Sequence, residues 1–214
     1  MTRSRVLAAG IAALGLDLDD AAQTKLLAYV ALLEKWNRTH NLTAIREPDR
    51  MLTHHVLDAL ATLPHLPQAP GLRLVDVGSG GGSPGVPLAV ARPDWYVTLL
   101  DSKRKKATFL RQVAAELDLR NVAVAASRVE DYLPEGPFDV AISRAFAELA
   151  PFVAGARHLV RAGGCLVAMK GVYPQEELAH LPADVRVVAG PALAVPGLNG
   201  ARHLVIVQVN GGSR

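Results

Sequence analysis

A chain of 214 residues, 50% hydrophobic and 20% charged, has the composition of one large globular domain, or one domain with an appendage, that needs no metal or disulfide framework to fold. Its single cysteine, Cys165, excludes an internal disulfide and a multi-cysteine zinc site and suits a reducing compartment. Lys plus Arg 23 against Asp plus Glu 20 gives a formal charge of +3, and Trp 2, Tyr 4 and Phe 4 are too few for a long base-stacking platform, so any nucleic-acid contact is expected at a local patch.

Arg3 and Arg5 precede an apolar stretch over 6–16, superficially the shape of a signal peptide, but Asp17, Asp19 and Asp20 follow directly without a small-x-small cleavage site. The segment reads instead as an amphipathic first helix. No stretch approaches the roughly 18 unbroken apolar residues of a membrane span, and a cytoplasmic monomer is expected. Helical character is predicted over 5–66. Within it, 20–38 carries Ala22, Leu26, Leu27, Val30, Leu33 and Trp36 at helical spacing, with Asp19 or Asp20 as cap. A further helix runs from Pro48 to about Leu63, and a proline-rich break over 64–71 separates a helical extension (1–70) from the main domain (71–214).

From Leu72 onward, short apolar runs alternate with helical stretches. Strands are predicted over 72–78, 95–101, 121–126, 138–145 and 163–171, the last opened by Cys165 as inert core; helices are predicted over about 103–117 and 148–160. Continuous apolar strands between helices imply a parallel sheet covered on both faces. Two last strands, 185–190 and 202–209, lack an intervening helix and are expected as an antiparallel edge pair. The predicted fold is α/β: a doubly wound, mostly parallel sheet with an N-terminal helical extension and an antiparallel C-terminal strand pair.

Ligands bind such sheets beyond the carboxyl ends of the strands, which directs attention to Gly78–Gly85, Asp101, Ser127–Glu130, Ser143–Arg144 and Lys170–Gly171. The loop after the first strand reads Asp76-Val77-Gly78-Ser79-Gly80-Gly81-Gly82-Ser83-Pro84-Gly85. Its glycines permit a tight turn and close backbone approach to a ligand, with Pro84 in the first turn of the next helix and Ser83 as possible cap. Gly80, Gly82 and Gly85 match G-x-G-x-x-G between a strand and a helix, and Asp101 closes the second strand where an acid holds ribose hydroxyls. Asp76 separates two nucleoside ligands. Its carboxylate would repel the pyrophosphate of NAD and would suit S-adenosylmethionine, whose ammonium and sulfonium are cationic; alternatively it bonds only to loop amides.

At these residues the chain resembles the glucose-inhibited division protein B (GidB) family of bacterial small-subunit ribosomal RNA guanine methyltransferases. The resemblance runs through 41–45, 55–58, the loop 76–88, 99–102 with Lys105-Lys106 and Phe109-Leu110, 127–130, 142–146, Lys170-Gly171 and 202–205, in consistent order over nearly the whole chain. It implies a class I, Rossmann-like methyltransferase using S-adenosyl-L-methionine, with Gly78, position 83, Val129, Glu130 and Arg144 as cofactor contacts and Asp101 as the ribose acid. Two positions depart from the family pattern: Ser83 replaces a bulky apolar residue and Ala59 a serine.

The family's reaction methylates ring nitrogen 7 of guanine, which has a free lone pair and no proton to remove. No general base is therefore expected, and positioning supplies most of the acceleration. The implied partner is small-subunit (16S) rRNA or a ribosomal subunit precursor. Arg144 is placed to touch the cofactor, the guanine or a phosphate, and Lys170 is a second positioning candidate. Lys103, Arg104, Lys105 and Lys106 sit at a helix start, where cations oppose the helix dipole, and are the candidate RNA-binding patch beside an acidic cofactor pocket. His54, His55 and Asp58 lack a third ligand and are expected to bond within the helical cap without a metal. The rival readings are an NAD-type oxidoreductase, for which no hydride-transfer constellation is visible, and a non-enzymatic rRNA-binding assembly factor.

Overall fold

The structure, a computed structural model, describes residues 2–144, 146 and 148–210. Ala145, at the end of the fourth predicted strand, lies outside the described residues. The chain opens with helix α1 (Arg3–Ala13), then α2 (Asp20–His40), whose first turn is capped by the Asp19 carboxylate accepting from the Ala22 amide at 2.7 Å. Leu26, Tyr29, Val30 and Leu33 form the buried stripe of α2. The next helical run is irregular: α3 (Pro48–Met51) passes through a π-helical turn (Leu52–Leu57) into α4 (Asp58–Leu60). The even periodicity expected through Leu63 is thus interrupted, and the run ends earlier. Such wider turns recur at functional sites, and this one carries His54 and His55.

Seven strands form one sheet in the order β3-β2-β1-β4-β5-β7-β6: β1 (Arg73–Val77), β2 (Tyr96–Leu100), β3 (Val122–Ala125), β4 (Phe138–Ser143), β5 (Val160–Lys170), β6 (Val185–Ala189) and β7 (His203–Val209). The first five are mutually parallel; β7 runs antiparallel between β5 and β6. The strand order changes direction at β1 and β4, which opens a crevice beyond their carboxyl ends. Helices α5 (Gly85–Ala91), α6 (Arg104–Glu116) and α7 (Leu149–Ala156) connect the strands. The helix expected to reach Val160 stops at a 3-10 turn (Arg157–Leu159), because Val160 already pairs with Phe138. Cys165 lies in mid-strand, half-buried, rather than at a strand start; burial raises its thiol above the usual range.

Alternate residues of β1 feed two cores. Leu74 joins Leu26, Leu33, Leu57 and Phe109 on one face, while Val75 and Val77 join Phe152 and Leu166 on the other. The N-terminal helices therefore share a core with the sheet. Each fully buried Leu or Phe in it contributes about 1.5–3 kcal/mol of burial free energy. Tyr29, fully buried, fixes this packing to the crevice by donating its hydroxyl to the Gly81 carbonyl at 2.7 Å.

Candidate active site

The β1–α5 loop turns on glycines with positive φ, Gly78 (76°), Gly80 (56°) and Gly82 (97°), a region side chains rarely adopt. Gly85 is needed for a different reason: a Cβ there would lie 2.2 Å from Leu99 and 2.8 Å from the Asp76 carboxylate. It allows α5 to seat directly on the sheet. A cleft of about 270 Å³ opens beside this loop, lined among others by Val77, Gly78, Asp101, Val129, Glu130 and Phe146. Asp101, 6% exposed, is fixed at its wall: its Oδ2 accepts the Gly80 amide (2.9 Å) and its Oδ1 the Lys103 amide (2.8 Å), with Lys106 Nζ at 3.7 Å. Each carboxylate oxygen can accept more than one hydrogen bond, so acceptor capacity remains for a diol.

Asp76 is placed differently from the reading that gave it a cationic ligand. Only 1% exposed and outside the cleft lining, it lies under the loop with Oδ2 accepting the Gly85 amide at 2.9 Å and Oδ1 without a hydrogen-bond partner among the described residues. Burial pushes its carboxyl up to about 7, against the pull of the Gly85 amide. Ser83 neither caps α5 nor faces the cleft. Pro84 holds the cap position, and the Ser83 hydroxyl donates to the His55 carbonyl at 2.9 Å. A buried hydroxyl needs an acceptor, and the π turn supplies one.

A second cavity of about 430 Å³ gathers Thr43, His55, Asp58, Arg144, Lys170 and Arg202. Arg144 lines this space rather than the cleft. Its Nη1 donates to the His54 carbonyl (2.6 Å) and toward Asp58 Oδ2 (3.5 Å), and its Nη2 to His55 Nδ1 (2.8 Å). Asp58, 1% exposed, also accepts from Arg202 Nε at 3.2 Å; burial raises its carboxyl, opposed by both arginines. Lys170 is paired with Glu177 at 3.1 Å. The end of β4 links the two linings: Arg144 follows Ser143, whose hydroxyl donates to the carbonyl of the cleft residue Val77 at 2.7 Å.

The basic cluster is divided. Lys103, Arg104 and Lys105 are exposed at the start of α6, which has no side-chain cap, whereas Lys106 is half-buried beside Asp101. Lys103, Lys106 and Arg128 also line the cleft, so the cofactor pocket is of mixed charge and not acidic as expected. Tyr29, Thr43, Phe146 and Arg202 had no individual role from the sequence. Tyr29 falls on the apolar stripe of α2, and Thr43, Phe146 and Arg202 each lie within a family-like run.

The strand order, the antiparallel seventh strand, the glycine loop after β1 and the acid closing β2 define a class I methyltransferase. Solved structures agree on the fold: the O-methyltransferase TomG from Streptomyces achromogenes superposes with a TM-score of 0.58 at 20% identity, covering 99% of this chain and 100% of that one. TrmN from Thermus thermophilus gives 0.56 at 18% identity over 71% of this chain and 48% of that one. The family profile "GidB: rRNA small subunit methyltransferase G" matches residues 22–205. Ribosomal RNA small subunit methyltransferase G of Neisseria meningitidis serogroup B is 53% identical over 97% of this chain and 99% of its own length. The protein of that name from Chromobacterium violaceum is 56% identical over 92% and 93%. The chain belongs to the GidB family of rRNA small subunit methyltransferases.

Proposed function

We propose that the protein transfers a methyl group from S-adenosyl-L-methionine to ring nitrogen 7 of a guanine in small-subunit (16S) rRNA. The observation that carries this reading is family membership over nearly the full chain, joined to a cleft whose side chains suit the cofactor. Asp101 offers acceptors to the ribose diol, Val129 and Phe146 offer apolar surface to the adenine, and Gly78 leaves backbone bare at the cleft edge. When bound, S-adenosylmethionine supplies a methyl on a sulfonium, so that the new N–C bond forms as the C–S bond breaks with its electron pair left on sulfur. The protein's residues need move no proton, because nitrogen 7 attacks through its lone pair. Their work is positioning. The cofactor roles of Glu130 and Arg144 belong to this proposal: Glu130 at the cleft, Arg144 at the boundary with the second cavity.

In A-form RNA this nitrogen faces a deep, narrow groove closed to side chains, so the target base enters unpaired or extruded. Lys103, Arg104 and Lys105 contact the flanking phosphates, with Lys106 occupied at Asp101. Lys170 supports the wall of the second cavity. The helical extension (1–70) and the methyltransferase domain (71–214) act as one unit, as a monomer, in the cytoplasm with the ribosomal subunit or its precursor; among the described residues no helix is long and apolar enough to cross a membrane. Methyl transfer from labelled S-adenosylmethionine to small-subunit rRNA and to the assembled subunit, with mass mapping of the product, tests the proposal. It expects 7-methylguanosine; label on another atom or no transfer overturns it.

A further inference from the structure

The polar groups of the second cavity are largely tied to one another. Asp58 has both oxygens engaged, one by each arginine. His55 is held neutral, its imidazole lowered to about 3 first by burial and then by the Arg144 charge. A guanidinium only donates, so His55 Nδ1 accepts from Arg144, which places the ring proton on Nε2, donating to Thr43 Oγ1 at 3.0 Å. That oxygen also accepts the Ile45 amide at 3.2 Å. Asp58, His55 and Thr43 are thereby engaged with one another and with the two arginines, whose guanidinium groups bring N–H donors to the cavity wall. Arg202 is the clearest case. Its Nε is held by Asp58 and its Nη1 by the Ala201 carbonyl at 2.9 Å, while Nη2 has no hydrogen-bond partner among the described residues.

Guanine and adenine differ at the edge beside nitrogen 7: guanine carries the O6 acceptor, adenine an amino donor. The Arg202 donor pairs with the first and meets the amino group of the second N–H to N–H. Nitrogen 7 itself must stay open toward the methyl group, which leaves O6 as the atom to be read. Arg144 of this cavity follows Ser143, whose hydroxyl is bonded to Val77 of the cofactor cleft, so the end of β4 links the two linings.

We infer that the second cavity receives the target base and that Arg202 is its specificity-determining residue, donating to guanine O6, with Asp58 as the positioning residue that fixes Arg202 opposite Arg144. This rests on the proposed rRNA guanine methylation. Asp58 gives Arg202 a defined direction at the cost of no donor facing the base.

The test is a double-mutant cycle on protein and RNA. The full chain first methylates small-subunit rRNA, and the modified guanosine is mapped. The same RNA is then assembled with 2-aminopurine ribonucleoside at that position, which keeps nitrogen 7 and the 2-amino group and lacks O6. Arg202→Gln is expected to lower kcat/KM on guanosine RNA by about tenfold or more with unchanged calorimetric affinity for S-adenosylmethionine, and Arg202→Lys to recover part of it. Wild type loses rate on the 2-aminopurine RNA, and Arg202→Gln loses no more on that RNA. The altered reactivity of nitrogen 7 in the analogue is common to both proteins and cancels. Additive losses, or a wild type indifferent to O6, overturn the inference. Absence of methylation by wild type on guanosine RNA overturns instead the reading beneath it. If Arg202→Gln does not fold, Arg202→Lys carries the same cycle with a smaller expected loss.

Discussion

Asp76→Asn should separate two opposed pH dependences that wild type conceals. In the unfolded chain Asp76 releases its proton near 3.8; in the folded protein burial holds that proton to about 7. Between those values the folded state binds the extra proton, so stability falls as pH rises, and the loss is complete above 7. Three pH units at 1.36 kcal/mol each amount to about 4 kcal/mol. His55 acts in the other direction: its imidazole is lowered from 6.5 to about 3, so the unfolded chain takes up a proton first and stability is lost as pH falls from 6.5 towards 3. Over roughly 4 to 6.5 the two slopes oppose each other. Asparagine keeps an acceptor for the Gly85 amide and abolishes the titration. Urea unfolding of wild type and Asp76→Asn, in steps from pH 4.5 to 8 without cofactor, covers about 2.5 of those units and should show the variant gaining on wild type by about 3 kcal/mol, nearly all below pH 7. A difference independent of pH would mean that Asp76 ionises as an ordinary carboxylate, and would refute the reasoning.

His55→Gln should unmask the Asp76 slope, measured as an unfolding free energy that falls as pH rises from 4 to 6.5; a slope like that of wild type would place the titration elsewhere. Asp101→Ala leaves the Gly80 and Lys103 amides without their acceptor and should weaken S-adenosylmethionine binding about tenfold or more by calorimetry; unaltered affinity removes Asp101 from the ribose role. Neutralising Lys103, Arg104 and Lys105 together should weaken RNA binding and reduce the slope of log K against log salt by about 2 to 3, at about 0.7–0.9 per phosphate contact. An unchanged slope sinks the patch. Gly85→Ala should destabilise by about 1–3 kcal/mol in denaturant titration, since its Cβ meets Leu99 and Asp76 below contact distance.

The sheet was legible because strands buried on both faces read as continuous apolar runs, and because a doubly wound sheet places its ligands at strand ends. Asp101, Gly78, Val129 and Glu130 were found by that rule and meet at one cleft. The destinations of single polar side chains were not legible. Ser83 turns to the His55 carbonyl only because a π turn brings that carbonyl across, and the run Leu52–Leu57 contains neither glycine nor proline to announce it. Arg144 reads as a residue at a strand end; its partners His54, His55 and Asp58 lie on a different element about ninety positions earlier, a pairing that periodicity does not encode. Lys106 looked like one member of a charge run, and its separation from the run depends on helical geometry turning it toward Asp101.

Asp58 joins Arg144 and Arg202, 86 and 144 positions away along the chain, and Arg202 immediately precedes β7, which inserts between β5 and β6. The cleft beside the glycine loop draws its lining from residues between Val77 and Phe146, whereas the second cavity acquires its last wall only when that strand is seated. During synthesis the methyl-donor cleft can thus be assembled from chain already made, while the chamber beside it waits for the closing hairpin. On the proposed reading, the residue assigned to choosing the base is thus among the last parts of the site to be made.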